Sequence, residues 1–552
     1  MDDMGITRIL NSMTLDQKIG QLGIAGICGG EDLDFARRNF EAFHFGGLMF
    51  SPLFQTFIRS SNFYPCGVSR NVSSVETSQF LHAIKNISKE VDGIPCFIGG
   101  DQEGGMSGSF LRRNTMTILP KPMGISHSPH PHEDAYEAAA IAAREVKAMG
   151  YDMLFGPVLD ISINPDNPEV GTRSFGDDPQ LCAELGVQFI KAYRDEGIIG
   201  VSKHFPGRGR GAIDAHFALE RLAVSKEEML RYDLVPFVRA IEAGTEAVMV
   251  CHTIFSSIDP KFPASLSKPV VTGLLRNELG FDGLVIPDTL TMWAILKNFD
   301  VPRACSMVLE AGCDMFFMKD PPRYKAAIRS IKDSIQRGSL TEEAIEEKVK
   351  KVLALKMKYG LFDKSFSEET LLNTIGAGNH VKSAKRLAEN SIVLIKNQYG
   401  TLPVEDCSCK RVLVIVPREV SIIQANDAKR DHLMLPRALE GVFREVHHVV
   451  VDQRATEDQL FEIAARSRNA DIVIAGVFMS GWNKGLASAV ELVLDTDRRV
   501  IILLACNPRE MIKIPGKIDA ALCTFCAGPQ QFEVFAESLN GTITLPRLMS
   551  NG

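Results

Sequence analysis

Residues 198–216 read IIGVSKHFPGRGRGAIDAH. A short apolar run stops at Lys203 and His204, a glycine-punctuated loop follows, and the stretch closes on Asp214-Ala215-His216. An apolar run of this length, broken by turn residues, reads as a buried strand, and the polar pair after it puts charged heads at one strand end. The same design recurs along the first 320 residues, at QLGIAGI (21–27), GGLMF (46–50), PCFIGGD (95–101), DMLFGPVLD (152–160), AVMVCH (247–252), GLVIPD (283–288) and CDMFFM (313–318). Counting IGVSKH (199–204), these make eight strand candidates. Amphipathic stretches separate most of them, such as HEDAYEAAAIAAREVKAMG (132–150) and KEEMLRYDLVPFVRAIEAG (226–244). Strand–helix alternation repeated eight times predicts an α/β fold of the (β/α)8 TIM-barrel type. Asp101, Lys203, His204, His252 and Asp288 all fall at the carboxyl ends of these strands, the end where barrel sites are built.

A second α/β region follows. TEEAIEEKVKKVLALKMKYGLF reads as the helix that closes a barrel domain over residues 1–360, and residues 361–380 as a linker. Residues 381–552 then alternate apolar strands (RVLVIV, HHVVV, DIVIAGV, RVIILLA, AALCTF) with helices, which predicts a three-layer α/β sandwich on a mainly parallel sheet.

Composition narrows the function classes. The 552 residues exceed a single core. A formal charge of -7 argues against a nucleic-acid surface. The acidic N-terminus lacks the form of a signal peptide, and no apolar stretch approaches the roughly 20 residues of a membrane span. The 12 cysteines mostly stand singly in apolar runs, as buried thiols do in a reducing compartment, so a cytoplasmic location is expected. The close pairs Cys407/Cys409 and Cys523/Cys526 match no usual zinc spacing. No metal, nucleotide or other cofactor is expected, no membrane partner is read, and the oligomeric state is not legible.

Chemistry enters with the Asp-x-His. An Asp two residues before a His projects to the same side, so it can hold one ring nitrogen and leave the other for proton transfer. The glycines at 207, 209 and 211 suggest a pliable loop that swings over a substrate. Asp288, at the end of a distant strand, supplies a second carboxylate, with a helix N-cap before TLTMWAI as its plainer role.

KHFPG followed by D-x-H, with a later strand ending in Asp, resembles glycoside hydrolase family 3, and within it the β-N-acetylglucosaminidase branch with a His-Asp acid/base dyad. Stretches 101–105 (DQEGG), 156–176 (GPVLDISINPDNPEVGTRSFG), 248–252 (VMVCH) and 263–267 (PASLS) carry the same resemblance. It implies a retaining exo-β-N-acetylhexosaminidase acting on a small carbohydrate, with Asp288 as nucleophile and His216 with Asp214 as acid/base. Asp101, Arg173, Lys203, His204 and His252 would then bind the sugar. Arg208 and Arg210, in the loop, suggest an anionic substrate or acceptor, since an Arg fork recognises carboxylate or phosphate. Departures from the family pattern stand at Met106, Thr172, Arg208, Pro287 and Thr289, and a coupled loss of charge at Met106 and Thr172 is one expectation. A β-glucosidase or β-xylosidase, a glycoside phosphorylase and a non-catalytic sugar-binding protein on a degenerate barrel stay open beside the leading reading.

Overall fold

A computed structural model describes residues 3–28, 33–51, 73–105, 116–320, 323–363, 367–418, 432–478, 484–514, 518–544 and 548. Each apolar run of the first region is a strand: β1 (Gly23–Cys28), β2 (Gly47–Ser51), β3 (Phe97–Gly100), β4 (Met153–Leu154), β5 (Ile199–Phe205), β7 (Ala247–Val250), β9 (Leu284–Pro287) and β10 (Phe316–Met318). A two-stranded ribbon, β6 (Arg221–Leu222) with β8 (Ile254–Phe255), stands apart. The eight strands pair in parallel in the order β10-β1-β2-β3-β4-β5-β7-β9. Two bonds nearly close the ring between its outer members: Asp314 N–H donates to Val285 C=O at 2.7 Å, and Leu290 N–H to Phe317 C=O at 2.8 Å.

These strands read as unbroken apolar runs because both faces are covered, by barrel interior on one side and helices on the other. Inside, the Phe155 and Phe317 rings meet at 6.0 Å. Outside, the helix Pro131–Met149 buries its alanine-rich face and ends on Gly150 in the left-handed conformation. Its neighbour Pro179–Asp195 starts from Asp178, whose carboxylate accepts the Gln180 and Leu181 N–H groups.

The second sheet holds β11 (Val393–Asn397), β12 (Arg411–Pro417), β13 (Glu445–Val451), β14 (Ile472–Val477), β15 (Arg499–Leu504) and β16 (Ala520–Cys523), ordered β11-β16-β15-β14-β12-β13. β11 runs antiparallel to β16 and the other pairs are parallel. The two-residue period of β12 displays the layering: Val412, Val414 and Val416 pack with Leu439 and Phe535, while Leu413 and Ile415 pack with Val490 and Val493. Helices therefore cover both faces, and the three-layer sandwich is present.

Between the two sheets the stretch read as a linker carries a helix, Glu368–Thr374. The buried Glu145 carboxylate on the barrel holds this connection: it accepts from the Gly376 N–H at 3.2 Å and lies 2.9 Å from His380 Nδ1. The sandwich also reaches the loop after β4, where Lys513 pairs with Asp166 at 2.8 Å and Arg509 with Asp177. Among the described residues no helix is long and apolar enough to cross a membrane.

Candidate active site

The carboxyl ends of the barrel strands bring together Asp101 and Glu103 after β3, Asp160 after β4, Lys203 and His204 in β5, His252 after β7, Asp288 after β9 and Lys319 after β10. A buried chain of alternating charges runs across them. Lys203 Nζ lies 2.6 Å from Asp101 Oδ1 and 2.5 Å from Glu103 Oε1. Glu103 also receives the Arg173 fork, from Nε at 2.6 Å and Nη2 at 2.9 Å. Arg173 Nη1 continues to the Glu169 carbonyl at 2.9 Å, and the Glu169 carboxylate holds Arg208 at 2.8 and 2.5 Å. Burial alone would raise the Glu103 pKa, but Arg173 and Lys203 hold it well below the ordinary carboxylate range. Glu103 is thus an anion with both partners in place, the condition under which a buried charge is tolerated. Beside this chain, His204 Nδ1 sits 2.6 Å from Asp160 Oδ2, and Asp160 Oδ1 accepts the Arg208 N–H at 2.8 Å.

Asp214 and His216 form the expected pair: Asp214 Oδ1 lies 2.7 Å from His216 Nδ1 and 2.8 Å from its backbone N. Nε2 is left as the ring's proton-transfer atom. Burial lowers the His216 pKa, but Asp214, Glu169 and Asp288 outweigh it and raise it above the usual imidazole value. Asp288 is nearly buried, and its Oδ1 accepts the Thr289 N–H at 2.7 Å. Burial pushes its carboxyl up, yet His204, His252, His216 and that N–H bring it down to about 2. The following helix is Trp293–Leu296, entered through Met292, so Asp288 is not its N-cap.

Several expected roles change on inspection of their partners. His252 is fully buried with both ring nitrogens engaged, Nδ1 2.7 Å from the Ser265 hydroxyl and Nε2 3.0 Å from the Thr289 carbonyl. It steadies the backbone beside Asp288 and offers no free nitrogen to a sugar. Arg173 forms a buried ion pair with Glu103 through Nε and Nη2. Arg208 is 1% exposed with its fork on Glu169, and Arg210 binds Asp233 at 3.0 Å and Glu228 at 2.6 Å. Neither guanidinium is placed to greet an anion, because each already neutralises a carboxylate. Thr172 lies on the turn Gly171–Arg173 and does not supply the acid that Arg173 needs, since Glu103 does. Met106 lies outside the described residues.

The loop glycines also act differently from slack. A Cβ on Gly209 would lie 1.6 Å from the Ile161 carbonyl oxygen, so glycine is what lets this loop press onto the β4 loop. Asn164 then pins it, its N–H donating to Gly209 C=O at 3.0 Å and its amide to Gly211 C=O at 2.8 Å. Gly104, at φ 76°, similarly lies where a Cβ would strike the Pro120 carbonyl.

Sequence reading passed over Glu103, Asp160, Glu169 and Lys319. Burial lowers the Lys319 pKa against the attraction of Asp101 and Asp288. Among the described residues, Glu169, Asp214 and His216 carry ligand-type atoms within 4.8 Å of one another. His216 Nδ1 is bonded to Asp214 and the Glu169 oxygens to Arg208, so the trio serves itself before any ion.

Comparison with known proteins fits this architecture. Residues 14–355 match the model of the glycosyl hydrolase family 3 N-terminal domain. Beta-hexosaminidase A of Pseudoalteromonas piscicida is 29% identical over 345 residues, 59% of this chain and 57% of that protein. The beta-N-acetylglucosaminidase/beta-glucosidase of Cellulomonas fimi is 28% identical over 429 residues, 75% of this chain and 71% of that one. The chain therefore spans little more than half the length of the first relative. A family 3 beta-N-acetylglucosaminidase from Paenibacillus sp. str. FPU-7 superposes with a TM-score of 0.86 at 30% identity, over 97% of this chain and 99% of that one. With the family model matching residues 14–355, more than half of the chain, this chain belongs to glycosyl hydrolase family 3.

Proposed function

We propose that the protein is a retaining, exo-acting β-N-acetylhexosaminidase of small carbohydrates, working by double displacement. The observation that carries the reading is that Asp288, at the carboxyl end of β9, and the hydrogen-bonded Asp214–His216 pair stand at one barrel mouth, with Ala215 of the pair bonded to Ala294 in the segment after Asp288. Retention requires a nucleophile on one face of the anomeric carbon and a proton donor at the leaving oxygen. In the first step an Asp288 oxygen bonds to the anomeric carbon as the glycosidic C–O bond breaks, and His216 gives its Nε2 proton to the departing oxygen. In the second, neutral His216 takes a proton from water, whose oxygen displaces the Asp288 ester. Asp214 holds the ring and stabilises its charge. Asp101 and Lys203 are proposed to grip sugar hydroxyls. Ten of the twelve cysteines are free thiols, and all of these but Cys409 are buried, which supports a cytoplasmic setting.

The substrate class is tested by turnover of nitrophenyl N-acetyl-β-glucosaminide beside the glucoside and xyloside, in phosphate and in a zwitterionic buffer. The reading expects the N-acetyl substrate to lead and free sugar to be the product. A leading glucoside, a sugar 1-phosphate product, or binding without turnover would each replace it.

The dyad has its own signature. His216→Ala is expected to lower kcat/KM, which reads the first step, by about 10²- to 10⁴-fold for substrates with poor leaving groups while barely touching it for activated aryl glycosides, which need little protonation there. Equal loss with both would make His216 a binding residue. The pH profile follows from the same groups. His216 must be protonated for the first step and its pKa is raised, so kcat/KM should persist above pH 6.5 and fall only beyond. Asp288, at about 2, stays ionised throughout. An alkaline limb at or below the ordinary imidazole value would contradict the raised assignment.

A further inference from the structure

Glu169 lies in the loop between β4 and the helix Pro179–Asp195, with a side chain only 2% exposed. It is not one of the residues proposed above to touch substrate, yet it grips the dyad directly. Glu169 Oε2 accepts the N–H of Ala215, the central residue of Asp214-Ala215-His216, at 3.2 Å, and Oε1 lies 4.0 Å from His216 Nδ1. The other side of that residue is held too: Ala215 C=O accepts the Ala294 N–H at 3.1 Å, and Ala215 packs with Met292 and Ala294 in the segment after Asp288 and with Leu219 on its own loop. One residue thus ties the dyad to the β4 loop by its N–H and to the Asp288 segment by its C=O.

The fully buried Arg208 explains how an acid survives here. Burial raises the Glu169 pKa above the ordinary carboxylate value and Asp214 adds to this, with Arg208 the largest of the opposing influences. The bidentate fork supplies the charge and geometry that a buried carboxylate needs. A purely architectural pair would have no reason to stand beside a titrating imidazole.

We infer that Glu169, with Arg208 as its counter-ion, is a positioning residue that latches the Asp214–His216 loop over Asp288 and sets a second negative charge beside the imidazolium. The inference rests on the reading of His216 as acid/base. The groups facing His216 are Asp214 on its own loop, Glu169 on the β4 loop with Arg208 behind it, Asp288 after β9, and His252 after β7. An opposite charge at this distance favours the protonated ring, so its removal acts on proton donation and not on sugar binding.

The test compares Glu169→Gln, Glu169→Asp and His216→Ala on a series of aryl N-acetyl-β-glucosaminides of graded leaving-group pKa, with full pH profiles. Glu169→Gln should lose about 10- to 100-fold in kcat/KM with poor leaving groups and less than about 3-fold with activated ones, because it weakens but does not remove general acid catalysis of the first step. Its alkaline limb should move to lower pH, while Glu169→Asp, which keeps the charge, should hold the limb near that of the unmodified enzyme. A uniform loss across leaving groups with an unmoved limb overturns the inference. If His216→Ala itself shows no leaving-group dependence, the acid/base reading falls and this inference with it. Should Glu169→Gln not fold, hydrogen exchange on the unmodified enzyme decides: the Ala215 amide should be protected, and exchange at the rate of a free loop overturns the latch.

Discussion

Asp288→Ala is expected to cut turnover by at least about 10⁴-fold, the scale of losing a group made essential by the covalent step. Among the described residues, the other carboxylates named at this rim are already engaged. Asp101 and Glu103 are bonded to Lys203, Asp160 to His204, and Asp214 to His216, so each oxygen pair already has a cationic or ring partner. Asp288 differs: histidines surround it at longer range and the Thr289 N–H takes one oxygen. Added azide should restore part of the rate by entering the space the carboxylate leaves, and the product should be the α-glycosyl azide. Residual activity within about tenfold of the unmodified enzyme, on the scale of one 1.4 kcal/mol interaction, would mean that Asp288 is not the nucleophile.

Arg173→Met should cost stability before it costs binding. Its guanidinium is nearly buried and shares Glu103 with Lys203. Removing one partner of a buried pair leaves an under-compensated charge, a loss of about 3–5 kcal/mol. Urea denaturation of the two proteins measures it. Stability within about 1 kcal/mol of the parent, combined with a KM raised more than about tenfold, would return Arg173 to the sugar-binding role.

The barrel was legible because parallel strands buried on both faces leave continuous apolar runs, and all eight announced themselves that way. The polar residue directly after such a run was an equally good signal for Asp101, Lys203, His252 and Asp288. Applied evenly, it would also have found Asp160 after DMLFGPVL and Lys319 after CDMFFM, which obey the same pattern. Glu169 carries no such mark, since it stands well into a loop whose path the local pattern does not set. Charge partners were the harder problem. Whether an arginine meets solvent or a carboxylate depends on two distant loops, and Arg208 beside Glu169 illustrates it. The loop glycines carry a role their spacing does not announce: Gly209 lets two backbones touch.

The most direct test of the account is to trap the covalent intermediate. A fluorinated N-acetylglucosaminyl fluoride, which slows the second step more than the first, is incubated with the enzyme, and the labelled peptide is located by mass spectrometry. The account predicts one sugar per chain, on the peptide containing Asp288 and released as turnover resumes. A label on any other carboxylate, or turnover with inverted product and no label, would contradict it.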